Sequence, residues 1–222
     1  MTGISGMMQR GLLVGASLAL SACSPSWQNL RKEETFKGPT RAYTVVLPEG
    51  WKRAPTDSDV LLITRDGLFL QQISVVKYPL DEAFADKKIS SDTPPQELAL
   101  LQYKKFRDDE PDLAQVQKAE TKGVLAMFPV SHAKPLPGTT ERVAIKPFKL
   151  DGRDAFLLET RSYNSWGLEY QSEAIGVVHE GDYWLIRYLA PKLYYAHRDQ
   201  ATFDQFLAKF KLKPKCRVFC SD

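Results

Sequence analysis

Three turn signals, each set between two apolar runs, constrain this chain most. ITRDGLFLQQISVV holds Asp66-Gly67, FKLDGRDAFLLE holds Asp151-Gly152, and VVHEGDYWLIRY turns at Gly181-Asp182. Asp and Gly tolerate the positive φ angles of tight hairpin turns. The predicted pairs are strands near 59–65 with 68–77, 142–150 with 153–163, and 168–179 with 182–190. Another strand is expected where Tyr43, Val45 and Leu47 alternate with Thr44 and Val46, ending at Pro48 and Gly50. In the last hairpin Trp184, Ile186 and Tyr188 share one face. In its partner strand Glu169, Gln171 and Glu173 share a face opposite Leu168, Tyr170, Ser172 and Ala174. One side of the sheet is expected to be core and the other partly wet.

Two helices are expected to flank the sheet. Thr93-Pro94-Pro95-Gln96 has the form of a capping box with proline at the helix start. The residues after it place Leu98, Ala99, Tyr103 and Phe106 on one face. The second helix follows Asp199, with Phe203, Phe206, Leu207 and Phe210 as an apolar stripe and Pro214 blocking its extension. The segment 107–141 is the least regular, with a possible strand from Gly123 to Phe128. The whole reads as an α+β domain: an antiparallel sheet of about six to seven strands flanked by helices.

The chain has 222 residues, 43% hydrophobic and 26% charged, enough to bury a core without metal or disulfide support. Thirty Lys and Arg stand against 27 Asp and Glu. That excess is spread along the chain, which gives nucleic-acid binding no footprint.

Ahead of this domain, Gly11 to Ala22 reads GLLVGASLALSA, 12 uncharged residues after Arg10. A spanning helix needs about 20 apolar residues. A basic start, a short apolar run and a small-residue end have the order of a secretory signal. Leu20-Ser21-Ala22-Cys23 resembles the lipobox of bacterial lipoproteins. The resemblance implies cleavage before Cys23, a diacylglyceryl group on its thiol and an acylated amine. Several acyl chains give stable membrane anchoring, at about 0.8 kcal/mol per buried CH₂. Ser24 stands where an aspartate would favour inner-membrane retention in that family, so the resemblance implies the outer membrane of a Gram-negative bacterium. Cys216 and Cys220 remain, four residues apart in an oxidising compartment. A structural disulfide is the leading reading, with two free thiols or a redox or metal role as alternatives. The division expected is a signal at 1–22, a tether at 23–41, the domain at 42–212 and a tail at 213–222.

Two further stretches carry a fold resemblance. YTVVLPEGW at 43–51 resembles the opening of PsbP-like domains. YWLIRYLAPKLYYAHRDQATFDQFLAKFKL at 183–212 resembles their close, an aromatic strand leading through Ala-Pro to a Phe-rich helix. Similar domains occur in a photosystem II extrinsic protein, a nuclear Ran-binding protein and the bacterial lipoprotein DcrB. The resemblance implies an antiparallel sheet with flanking helices, and binding or assembly more than catalysis. The shared residues form the fold, so no relative's binding residue carries over.

A search for chemistry returns little. His132, His179 and His197 have no metal-motif spacing, and Ser131-His132 lacks the third group of a triad. Phosphate-loop, dinucleotide and G-x-S-x-G patterns are missing. Carboxylates at Asp57 and Asp59, and at Asp108, Asp109, Glu110 and Asp112, read as solvated turns. Neither a metal nor a cofactor is expected. The aromatics Trp166, Tyr194 and Tyr195 lie outside the clean alternation. They are candidate interface residues, or lids on the sheet edge. The expectation is a non-enzymatic, periplasm-facing envelope lipoprotein: an accessory or assembly factor held to the membrane by lipid and binding a protein complex, without nucleic acid. The alternative is a module binding a small molecule, peptide or ion in a helix–sheet cleft.

Overall fold

The protein is described from a computed structural model over residues 27–38, 41–55, 60–67, 70–85, 87–108, 140–164, 167–195 and 199–214. Among the described residues eleven strands run in chain order: β1 Gln28–Asn29, β2 Glu34–Lys37, β3 Tyr43–Leu47, β4 Lys52–Arg53, β5 Leu61–Thr64, β6 Gln72–Pro79, β7 Glu141–Leu150, β8 Arg153–Tyr163, β9 Glu169–His179, β10 Asp182–Pro191 and β11 Lys211–Leu212. Helix α1 is Pro95–Asp108, a single turn α2 is Lys192–Tyr194, and α3 is Gln200–Ala208. The main sheet has eight strands in the order β1-β4-β5-β6-β10-β9-β8-β7, every neighbouring pair antiparallel. A second sheet, β11-β3-β2, lies apart from it.

The long hairpins form where turn chemistry asks for them. Leu150 pairs with Arg153 across Asp151 and Gly152, at φ 50° and 79°. Positive φ at both central residues suits the right-handed twist of the strands. The next hairpin turns one residue earlier than expected. His179 pairs with Asp182, so the turn is Glu180-Gly181, at φ 50° and 82°. The first hairpin is not tight: Thr64 pairs with Gln72. The Thr64 hydroxyl donates to the Gln71 carbonyl at 2.6 Å and accepts the Gly67 amide at 3.2 Å, closing a wider loop.

The expected wet face does not extend across the sheet, because both faces are covered at its centre, while the edge strand β7 stays largely exposed. Every residue of β10 is buried. On one side Tyr183 and Leu185 pack with Leu98, Ala99 and Phe106 of α1. On the other Trp184, Ile186 and Tyr188 pack with Phe203, Phe206 and Leu207 of α3. Tyr43 of the small sheet stacks on Phe210 at 5.0 Å and meets Trp184 edge-on at 5.4 Å. The two sheets thus share one core. A covered central strand reads as continuous apolar sequence rather than alternation.

Three expectations at element ends change. Helix α1 starts at Pro95, but the Thr93 hydroxyl accepts the Ser90 amide instead of capping the helix. The start is closed by Pro94, whose carbonyl accepts the Glu97 and Leu98 amides. On the helix, Gln102 joins the buried row and donates nothing to solvent, while Tyr103 is half-buried. The stretch expected as a tether carries β1 and β2. Trp27 packs against the α1-side core, Leu30 is buried, and Phe36 packs on the other core. Short strands pair through distant partners, so local alternation does not announce them. At the far end the Lys213 amide donates to the Ala42 carbonyl, extending the domain past 212.

Candidate interaction surface

Strand β10 leaves the core at Pro191, which pairs with Tyr170. The β10–β9 ladder ends there, and Lys192–Tyr194 turns into α2. Lys192 of α2 donates to Glu169 at 3.0 Å, and Arg161 lies 3.9 Å from the other Glu169 oxygen. Leu193 and Leu168 follow on the two chains. They are 74% and 44% exposed. Leu168 stands on a fixed support. The Asn164 side chain accepts the Leu168 amide at 2.9 Å, and the Asn164 backbone pairs with Leu168 and Gly167. Gly167, at φ 76°, makes that turn possible. Two outward leucines on segments joined by the Lys192–Glu169 ion pair are candidates for a protein contact.

Of the three aromatics singled out, Tyr194 is half-buried beside Leu193. Tyr195, by contrast, is not an interface residue: it is 8% exposed and packs in the core. Its ring stacks on Tyr188 at 5.2 Å, and Tyr188 in turn stacks on Phe203 at 5.5 Å. The apolar ring gains more from the core than from a surface, and its hydroxyl finds the Glu173 carboxylate. Trp166, Cys23, Cys216 and Cys220 lie outside the described residues, as do His132, His197, Asp57, Asp59, Asp109, Glu110, Asp112 and the 123–128 strand.

Beneath this surface is a buried polar group that sequence reasoning missed. Glu173 of β9 accepts Nε2 of Gln200 at 2.9 Å and the Tyr195 hydroxyl. Burial raises its pKa, with Asp204 and Glu159 adding like charge. Burial likewise raises the Tyr195 and Tyr188 hydroxyls far above the ordinary tyrosine value. Asp199, fully buried, is held by Arg65 at 2.6 Å. These contacts tie the α2–α3 segment to the sheet and hold the surface above them in place. The run of Glu169, Gln171 and Glu173 is the signal that was available for them.

Elsewhere a cleft of about 460 Å³ lies between the start of α1 and the β7–β8 hairpin, lined by Pro95, Gln96, Phe148, Lys149 and Asp154 among others. Its charges neutralise each other, Lys149 to Asp154 at 2.6 Å. His179 sits at the surface near the Lys213 carbonyl, and Asp108 pairs with Arg107. Among the described residues no cluster of three or more His, Cys, Asp and Glu could hold a metal ion, and no helix is long and apolar enough to cross a membrane.

No protein-family model and no curated protein matches the chain. Solved structures do. The cyanobacterial PsbP protein CyanoP from Synechocystis sp. PCC 6803 superposes with a TM-score of 0.50 at 14% identity, over 87% of this chain and 99% of that one. LpqN of Mycobacterium tuberculosis, described as involved in cell envelope biogenesis, gives 0.44 at 12% identity, over 82% and 91%. A protein of Bacteroides thetaiotaomicron gives 0.46 at 8% identity over 83% of this chain, which spans only 50% of that protein. At these identities the likeness concerns fold alone, and the CyanoP superposition carries it. With its antiparallel main sheet and flanking helices, the chain has the PsbP-like fold.

Proposed function

We propose that this protein is a non-enzymatic accessory factor of the bacterial envelope, anchored by lipid on Cys23 and facing the periplasm from the outer membrane. It binds a membrane protein complex through the end of the sheet that carries Leu168 and Leu193. The observation that supports this reading is the pair of exposed leucines, Leu168 and Leu193, at the end of a sheet whose central strand is covered on both faces. Anchoring confines the search for a partner to the membrane surface and raises its local concentration. Crosslinking in intact cells, detergent extraction and mass spectrometry test it, comparing wild type with Cys23→Ser. One envelope protein enriched only with the anchored form supports the reading; equal or no enrichment in both forms opposes it.

A second reading rests on the 460 Å³ cleft between helix and sheet, a position suited to a small molecule or peptide. A ligand there would raise the melting temperature equally with and without the anchor.

A further inference from the structure

The structure shortens the link between Cys23 and the domain. A tether through residue 41 would let the domain swing freely. Instead Trp27 packs on the α1-side core and β1 begins at Gln28. Four residue steps separate Cys23 from Trp27, a reach of at most about 14 Å. β1 is the outermost strand of the main sheet. On the reading that Cys23 carries lipid, this edge is therefore the part of the domain held nearest the bilayer.

That edge is basic. Arg31 and Lys32 follow β1, and Lys52 of β4 stands opposite Asn29. All three are exposed and make no ion pair among the described residues. Elsewhere Lys146, Lys149, Lys192, Lys209 and Lys211 are each neutralised by a carboxylate, while Lys37, Lys88 and Lys213, exposed without an ion pair among the described residues, lie outside β1 and β4. Of the acids nearby, Glu33 is held by Lys209, Glu34 is half-buried at the start of β2, and Glu49 is exposed at the turn after β3. Basic residues near a membrane surface are attracted by anionic lipid.

We infer that the β1–β4 edge lies against anionic phospholipid headgroups through Arg31, Lys32 and Lys52, so that the domain sits flush on the membrane in a fixed orientation. β9, which begins just after Leu168, is five strands away, about 24 Å across the sheet at ordinary strand spacing. The leucine surface is thereby presented to the side of the contact. The inference rests on the anchored reading but concerns a surface that exists with or without the lipid.

The test is co-sedimentation of the mature chain carrying Cys23→Ser with vesicles of phosphatidylglycerol or of phosphatidylcholine at low ionic strength. Binding to phosphatidylglycerol alone, weakening with salt, is expected. Arg31→Gln, Lys32→Gln and Lys52→Gln should each lower the partition coefficient about 5-fold, while Lys146→Gln and Lys149→Gln leave it unchanged. Equal affinity for both lipids, or equal loss from both sets of variants, overturns the inference. The mass of the wild-type N-terminal peptide separates the two claims. Acylated Cys23 with a domain indifferent to phosphatidylglycerol defeats the basic edge alone; bare Cys23 with a lipid-binding edge defeats the anchor alone.

Discussion

The Gln200 side chain donates to Glu173 at 2.9 Å, joining the first residue of α3 to the middle of β9. The acceptor is a carboxylate whose pKa is raised, first by burial and then by Asp204 and Glu159, against hydrogen bonds from Tyr195 and Gln200 that lower it. Lys146 bonds Glu159 and moderates that repulsion. A carboxyl with a raised folded-state pKa binds protons more readily folded than unfolded. Its contribution is most favourable below the unfolded value, near 4.5, and is lost as pH rises through the folded value. Glu173→Gln should remove this loss. Urea midpoints of the variant should show less decline than wild type as pH rises above about 4.5. An identical decline would mean that Glu173 titrates normally.

Arg65 and Asp199 should respond unequally to mutation. Asp199 is fully buried, whereas the Arg65 side chain is 36% exposed. Arg65→Ala leaves a buried carboxylate without its partner, costing about 3–5 kcal/mol. Asp199→Asn leaves a guanidinium that can turn to water, costing about 1–3 kcal/mol. Chemical denaturation of the two variants should rank them in that order.

Gly176 admits no side chain. A Cβ there would stand 2.2 Å from the Phe156 ring and 2.7 Å from the Tyr183 hydroxyl. Both rings are fully buried and have no room to yield. Gly176→Val should destabilise by about 1–3 kcal/mol or more, read as a lower denaturation midpoint with an unchanged slope.

Leu168→Glu and Leu193→Glu should be silent in stability, within about 0.5 kcal/mol, since both side chains already face water. They should nonetheless abolish capture of the partner. Loss of folding in either variant, seen by circular dichroism, would show that these leucines serve the core.

The parts of the fold legible in the sequence are those with local cause. Asp151-Gly152 dictates its own hairpin, and the Phe203, Phe206 and Leu207 stripe dictates a buried helix face. β2 and β11 are invisible because each is made by a partner far along the chain: Phe36 opposite Val45, Leu212 opposite Tyr43. Tyr195 misleads for a related reason. Its neighbours have no period, yet Tyr188 and Glu173 offer its ring and hydroxyl a place inside. Leu168 misleads in the same way: alternation puts it on the face of Tyr170, but β9 begins only at Glu169, and Leu168, in the turn before it, is 44% exposed.

The most direct measurement is site-specific photocrosslinking in intact cells, with the reactive residue at Leu193 and, as a control, at Leu100, which is 48% exposed on α1. The account predicts one envelope protein crosslinked from position 193 and not from position 100, and lost when Cys23 is replaced by Ser. No adduct from position 193, or the same adduct from both positions, would contradict docking through this surface.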